Sequence, residues 1–243
     1  MATGSADGAG YVRRMLVVVS LGWATLQTGR FLLSPLLPTI ITDLGITEAT
    51  AGIALAIFQG SYAVVQYPSG EYSDRWTRTT LIVPGLVVLA VGFGLFGATA
   101  GLATFVVAAT VVGIGKGLFS IPSRALLSDL FTDDRGRALG IYAAGTDAGG
   151  LVSSGLAVVA LTHFTWRTPF FPIAVGLAIL TAVYAVTTRE GYHVGKATLD
   201  IRGTVGRLVG SSRQRETLVA FALFYFMVGG FINFVPTYLA RSK

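Results

Sequence analysis

Two basic side chains and one carboxylate lie deep inside long apolar segments of this chain. Arg30 stands near the middle of an apolar run that begins at Met15, Lys116 lies in a second run and Asp147 in a third. A charge at the centre of a lipid-facing helix costs roughly 2.5 to 3.5 kcal/mol, so such residues usually face a polar cavity or a partner. They therefore indicate binding of an ion or a charged solute within a membrane.

Neutral polar side chains accompany these charges at helical spacing. Gln27 precedes Arg30 by three residues, which puts both on one face of a helix. Gln59, Tyr62 and Gln66 recur at i, i+3 and i+7, which predicts a polar stripe on another helix. We predict that the substrate or ion pathway is lined by these groups: Arg30, Lys116, Asp147, Gln27, Gln59, Tyr62 and Gln66.

The two cations outnumber the carboxylate, and a buried charge without a partner is costly. An anionic solute is the simplest counter-ion, held by the fork of Arg30 and by the point charge of Lys116. The alternatives pair Arg30 with Asp147. That pair could hold helices together, or it could act as a proton-responsive switch in a transporter of neutral or cationic compounds.

Other kinds of chemistry find no support in the sequence. No nucleophile and base share a plausible pocket, and no ATPase or dinucleotide motif has its required context. Cysteine is absent, and His163 and His193 show no metal-ligand spacing. The net charge of +6 comes without a basic patch interleaved with aromatic residues. We therefore predict a protein that is not an enzyme, needs no cofactor or metal, and binds no nucleic acid.

The apolar segments themselves have the length of membrane spans. Hydrophobic residues make up 53% of the 243 residues and charged residues only 12%, against about a quarter charged in soluble domains. A bilayer core about 30 Å thick needs roughly 20 apolar residues in a helix. The pattern predicts an all-α integral membrane protein with seven spans, at 15–38, 49–70, 80–98, 102–126, 138–161, 169–188 and 217–240.

The connections divide the chain and suggest its orientation. We predict an N-terminal tail at 1–14, a six-helix bundle at 15–188, a basic central loop at 189–216 and a seventh helix within 217–243. Basic residues concentrate on the connections that share a side with Arg13 and Arg14, whereas Arg167 stands between spans on the other side. By the positive-inside rule, the N-terminus and the central loop face the cytoplasm.

The connection after the second span carries the most specific motif. It reads GEYSDRWTRTT, and Gly70, Asp74, Arg75 and Arg78 stand where the G-x-L-x-D-R-x-G-R-[RK] signature of the major facilitator superfamily has its glycine, aspartate and basic residues. The chain therefore resembles that superfamily, although Tyr72, Thr77 and Thr79 depart from the signature. We expect a tight glycine turn to present the carboxylate and the guanidinium groups at helix ends, where they could pair reversibly with a facing helix.

The resemblance implies a bundle like the N-terminal half of such a transporter plus its seventh helix, out of twelve. It implies secondary active transport of a small solute, with spans 1, 2, 4 and 5 lining the pathway and a motif that stabilises one cytoplasmic gate. Expected partners are a small-molecule substrate, a coupling ion such as a proton, and the bilayer of the cell (plasma) membrane. A truncated, non-transporting membrane protein and a small channel remain as alternatives.

Overall fold

The computed structural model describes residues 3–195, 203, 206 and 209–241, and the regular structure in these ranges is helical. Each predicted span corresponds to one helix, in the same order. The helices are α1 (Thr3–Leu44), α2 (Glu48–Arg75), α3 (Thr79–Gly97), α4 (Leu102–Leu130), α5 (Arg135–His163), α6 (Phe170–Thr187) and α7 (Ser212–Arg241).

Helix lengths match the membrane prediction, although several helices extend past the predicted spans. Within the described residues, α1 to α6 are each long and apolar enough to cross a membrane. The helix α7 covers the seventh predicted span. The helix α1 begins at Thr3, so most of the segment that we predicted as a polar tail continues α1 outward. Extending an existing helix is easier than starting one, because the nucleus is already formed.

Two sets of helices build the bundle. The helix α4 packs between α2 and α3, and α3 also packs on α6. On the other side, α1 packs along α5 and α6, and it also contacts α7. Aromatic rings fill the junction of α3, α4 and α6, where Phe170 stacks on Phe93 and Phe96. These large buried rings stabilise the scaffold and leave the polar positions of α1, α2 and α4 free for other contacts.

A group of polar contacts joins three helix ends at the side of the bundle opposite the signature motif. The carboxylate of Asp43, near the end of α1, accepts hydrogen bonds from Trp166 Nε1 at 3.1 Å and from Arg167 at 2.7 Å. Arg167 also donates from Nε to the carbonyl oxygen of Thr99 at 2.6 Å. The α3–α4 and α5–α6 connections are thereby held against α1.

Candidate functional site

Arg30 lies in the wall of a cavity of about 550 Å³ formed by α1, α2 and α7. Gln59 of α2 lines the same cavity, so the structure brings together two of the predicted pathway residues. The guanidinium of Arg30 is half-buried and stands 5.0 Å from the ring centroid of Phe31. Among the described residues, no carboxylate forms an ion pair with Arg30. The cavity therefore contains a cation that can accept an anionic partner.

Lys116 is buried behind this cavity, on the face of α4 that packs against α2. Its side chain is 6% exposed, and Nζ lies 4.0 Å from the ring centroid of Tyr62 and 5.4 Å from that of Phe58. The hydroxyl of Tyr62 accepts a hydrogen bond from Gln66 Nε2 at 3.1 Å. Aromatic faces attract a desolvated ammonium group, so these rings stabilise the charge where no described carboxylate pairs with it.

Glycines on α4 allow the ammonium group to come this close to α2. A Cβ at Gly113 would lie 2.4 Å from the carbonyl oxygen of Phe58, and one at Gly117 would lie 2.8 Å from Val65 Cβ. The backbones therefore approach more closely than any larger residue permits. This close packing at the two glycines brings Lys116 onto the Tyr62 ring.

The positive charges of α1 and α4 act on one another. Arg30 and Arg124 both lie close enough to Lys116 for electrostatic repulsion. Lys116, Arg30 and Arg124 thus form a group of basic side chains on α1 and α4. An anion entering beside Arg30 would reduce this repulsion.

Gln27 and Asp147 lie outside this group of basic side chains. Gln27 is 3% exposed, and its Cβ would lie 2.8 Å from a Cβ built at Gly149 of α5. Its Oε1 has no hydrogen-bond partner among the described residues. Asp147 is exposed on α5 and forms no ion pair with any described residue. The Arg30–Asp147 pair that we considered is therefore absent from the described part of this conformation.

Three residues near Lys116 or the Arg30 cavity were not predicted from the sequence. Arg124 lies within α4, and its guanidinium carbon is 5.4 Å from the Trp23 ring centroid and 5.9 Å from that of Tyr142. Its spacing of eight residues from Lys116 puts both on one helix face, and this signal could have identified it. Tyr225 and Phe226 of α7 line the Arg30 cavity. Only helix packing reveals their position.

The signature motif has a different geometry from the one we expected. Gly70 lies inside α2, and a Cβ built there would only reach Ile121 Cγ2 at 3.8 Å, so the predicted tight glycine turn is wrong. The helix continues to Arg75 because Glu71 pairs with Arg75 across one turn and the ring of Tyr72 stacks on Trp76 at 4.6 Å. The connection follows instead at residues 76–78.

Arg78 holds the ends of α2 and α4 together, whereas Asp74 stays accessible. The guanidinium of Arg78 donates to the carbonyl oxygen of Ser73, to Ser73 Oγ at 2.7 Å and to Asp129 of α4 at 3.2 Å. The side chain of Asp74 is 80% exposed, and its contact with Arg78 is long at 3.4 Å. Asp74 could therefore form a stronger pair with a group outside the described bundle.

Thr77, which departs from the family signature, and the nearby Thr80 bind the segment after α6. Thr77 Oγ1 donates to the carbonyl oxygen of Gly191 at 2.8 Å, and the backbone N–H of His193 donates to Thr77 Oγ1 and Thr80 Oγ1, each at 3.2 Å. Trp76 Nε1 donates to the carbonyl oxygen of Gly195 at 2.7 Å. The α2–α3 connection is thus hydrogen-bonded to the start of the predicted central loop.

The lining of the Arg30 cavity suits reversible binding of a solute. The residues in contact with the Arg30 cavity are cationic, amide, aromatic or aliphatic. Among the described residues, no group of His, Asp and Glu side chains is arranged to hold a metal ion.

Comparisons with known proteins agree with the helical architecture. The protein-family model described as Major Facilitator Superfamily matches residues 19–243 of this chain. Multidrug resistance protein 1 of Bacillus subtilis is 28% identical over 173 residues, which cover 71% of this chain and 44% of that protein. The hexuronate transporter of Bacillus subtilis is 24% identical over 147 residues, which cover 60% of this chain and 35% of that protein. This chain thus spans less than half the length of either relative.

A solved structure shows the same fold. The crystal structure of a bacterial homologue of the human lysosomal transporter Spinster, inward-facing and unoccupied, aligns with a TM-score of 0.74 at 20% identity. The alignment covers 95% of this chain and 56% of that one.

Proposed function

This chain belongs to the major facilitator superfamily, and we propose that it serves secondary active transport of a small anionic solute. The members of the superfamily matched here are transporters, not enzymes. In the proposed mechanism, two helical bundles rock about a central site near the middle of the membrane. This chain contributes α1, α2 and α4 of the first bundle and α7 of the second.

The observation that carries the proposal is the position of Arg30 in the wall of the 550 Å³ cavity. Among the described residues, neither Arg30 nor Lys116 has a carboxylate partner, and the Tyr62 and Phe58 rings face the ammonium group of Lys116. An intramembrane cation without a counter-ion attracts an anion. The guanidinium fork suits a carboxylate or phosphate in a bidentate geometry. One relative is named for a hexuronate, which is a carboxylated sugar.

The lining also indicates the shape of the solute. Phe58, Tyr225 and Phe226 offer aromatic surface beside Arg30, and Gln59 offers an amide. A solute with one anionic group and an apolar or ring-shaped body would match these walls. The anion would bind Arg30, and Lys116 would add a second positive charge at longer range.

A proton-responsive switch is the second candidate. It requires Asp147 to approach Arg30, and in this conformation Asp147 is exposed on α5 without an ion pair among the described residues. The separation favours the anion site. A transporter of neutral or cationic compounds would instead need Asp147 to move onto the cation during the transport cycle.

We propose that Asp74 acts as one side of a cytoplasmic latch. It is exposed at the end of α2, beside Arg75, while Arg78 is already bound to Ser73 and Asp129. The structure thus divides the signature into a fixed part, Arg78, and an available part, Asp74. An available carboxylate can pair with a cation of the facing bundle in one conformation and release it in the other.

The decisive experiment is a screen of labelled organic anions for uptake into vesicles with an imposed proton gradient. The vesicles would contain the complete protein, including any residues that follow Lys243, and parallel vesicles would contain residues 1–243 alone. We expect saturable uptake of at least one anion by the complete protein, and anion binding without uptake by residues 1–243. Ungated flux through residues 1–243 would support a channel, and absence of both binding and uptake would support a non-transporting membrane protein.

A further inference from the structure

A second cavity, of about 460 Å³, lies where α1 begins and α5 begins. It lies at the same side of the bundle as the signature motif, far along α1 from Arg30. Its walls come from the first turns of α1, the α4–α5 connection and the first turns of α5. Apolar residues form most of the surface, namely Ala9, Val12, Leu16, Phe131, Ala138 and Ile141.

Two arginines and one aspartate complete the lining of this cavity. Arg13 comes from α1, Arg137 from α5 and Asp134 from the connection before α5. Neither arginine forms an ion pair or a hydrogen bond with a side chain in the described part of the protein, and both are exposed. The cavity therefore carries a net positive charge, and both guanidinium groups can bind a ligand from outside.

The adjacent arginines behave differently and do not line the cavity. Arg14 donates from Nε to the carbonyl oxygen of Gly10 at 3.3 Å. Arg135 donates from Nε to the carbonyl oxygen of Ser128 at 3.3 Å. Each cavity arginine thus has a near neighbour of the same charge that is already bound to the backbone. General attraction to a membrane surface would involve all four, whereas a defined site would involve only Arg13 and Arg137.

We propose that this cavity binds the headgroup of an anionic phospholipid from the adjacent leaflet. The phosphate would lie between Arg13 and Arg137, because guanidinium groups bind phosphate oxygens in a fork geometry. The glycerol and the first methylene groups would pack on Leu16 and Ile141, of which Ile141 is 46% exposed. Basic pockets between membrane helices recognise anionic headgroups in this way.

The balance of charges and apolar surface selects the class of lipid. Two arginines against Asp134 leave one positive charge, which matches a monoanionic headgroup such as phosphatidylglycerol better than a zwitterionic one. The apolar lining explains why the ligand is a lipid, since a free phosphate would leave that surface in contact with water. The site lies apart from the proposed substrate cavity, so its test is independent of transport.

Residues 1–243 would be purified in detergent, stripped of lipid and titrated with phosphatidylglycerol, phosphatidylcholine or inorganic phosphate. Binding would be measured by native mass spectrometry and by the change in thermal unfolding temperature. We expect retained phosphatidylglycerol and a rise in unfolding temperature, with little effect of phosphatidylcholine or phosphate. Arg13→Gln and Arg137→Gln should each weaken binding by roughly tenfold or more, because each removes a charge-assisted hydrogen bond to the phosphate.

The matched controls are Arg14→Gln and Arg135→Gln, which remove the same charge a residue or two away. They should retain binding within about twofold, and Asp134→Asn should strengthen it. The proposal is overturned if all four glutamine variants weaken binding equally, which would indicate diffuse attraction, or if none does. Equal binding of inorganic phosphate would show an anion site without lipid specificity and would also overturn it. Circular dichroism before titration establishes that each variant is folded.

Discussion

The ammonium group of Lys116 lies 4.0 Å from the centroid of the Tyr62 ring, at the interface of α4 and α2. Lys116 is 6% exposed and has no ion pair within the described ranges, so an aromatic face takes the position that a carboxylate usually has. A ring can hold a cation without neutralising it. No carboxylate among the described residues therefore neutralises Lys116.

Substitutions at Tyr62 should separate the ring from its hydroxyl. Tyr62→Phe keeps the ring and loses only the hydrogen bond from Gln66, so we expect nearly unchanged stability. Tyr62→Leu removes the ring and should destabilise the chain by about 2 kcal/mol, the value of a desolvated cation–π contact. Thermal unfolding in detergent would measure both. Equal destabilisation by the two variants would show that the hydroxyl, and not the ring, supports Lys116.

Substitutions at Arg30 should distinguish between its two proposed roles, in an anion site or in a proton-responsive switch. Arg30→Lys keeps the charge but loses the bidentate fork, and should weaken anion binding; Arg30→Gln should weaken it further, by roughly tenfold or more. Lys116→Gln should weaken anion binding less, because Lys116 lies behind the cavity wall. Isothermal titration with the anion found in the uptake screen would measure these changes, with Arg14→Gln as the control. Unchanged affinity with a shifted pH dependence of transport would favour the switch.

Substitutions at Asp74 and at Arg78 of the signature motif should have different effects. Asp74→Asn should impair transport by the complete protein while leaving expression and thermal stability near normal, because Asp74 is 80% exposed. Arg78→Gln should lower stability as well, since it removes the link between Ser73 and Asp129. Vesicle uptake and thermal unfolding would be measured on both. Normal transport by Asp74→Asn would mean that the motif serves only to orient the chain in the membrane.

Close packing of α2 and α4 predicts a strong effect at one glycine. Gly113→Ala would put a Cβ 2.4 Å from the carbonyl oxygen of Phe58, and overpacking of this kind costs roughly 1–3 kcal/mol. Gly155→Ala is the matched control, because a Cβ there meets no atom within 4 Å. We expect a lower thermal unfolding temperature only for Gly113→Ala. A similar temperature for both variants would mean that the helices separate at little cost.

The absence of cysteine allows a direct test of orientation. Gly101→Cys and Gly136→Cys lie at opposite ends of the bundle, and a Cβ has room at both positions. If the N-terminus is cytoplasmic, a membrane-impermeant thiol reagent added to intact cells should label position 101 alone. Both should react after the cells are opened. Labelling of position 136 in intact cells would reverse the predicted topology.

The positions of the helices and the type of fold follow from the sequence alone. Apolar runs of membrane length are local features, so each predicted span is found as a helix, and the family match agrees with the signature around Asp74 and Arg78. The cost of a buried charge is equally local. Arg30 and Lys116 could therefore be identified as candidate pathway residues before any contact was known.

Which side chains meet was decided only by the tertiary structure. Spacing placed Gln27 on the face of Arg30, yet it packs at Gly149 of α5, while Arg124 joins the rings of Trp23 and Tyr142. Such contacts depend on how closely helices distant in sequence approach one another, and here glycines set that approach. A sequence pattern defines the faces of one helix, but the neighbour that covers each face is determined by packing of the whole bundle.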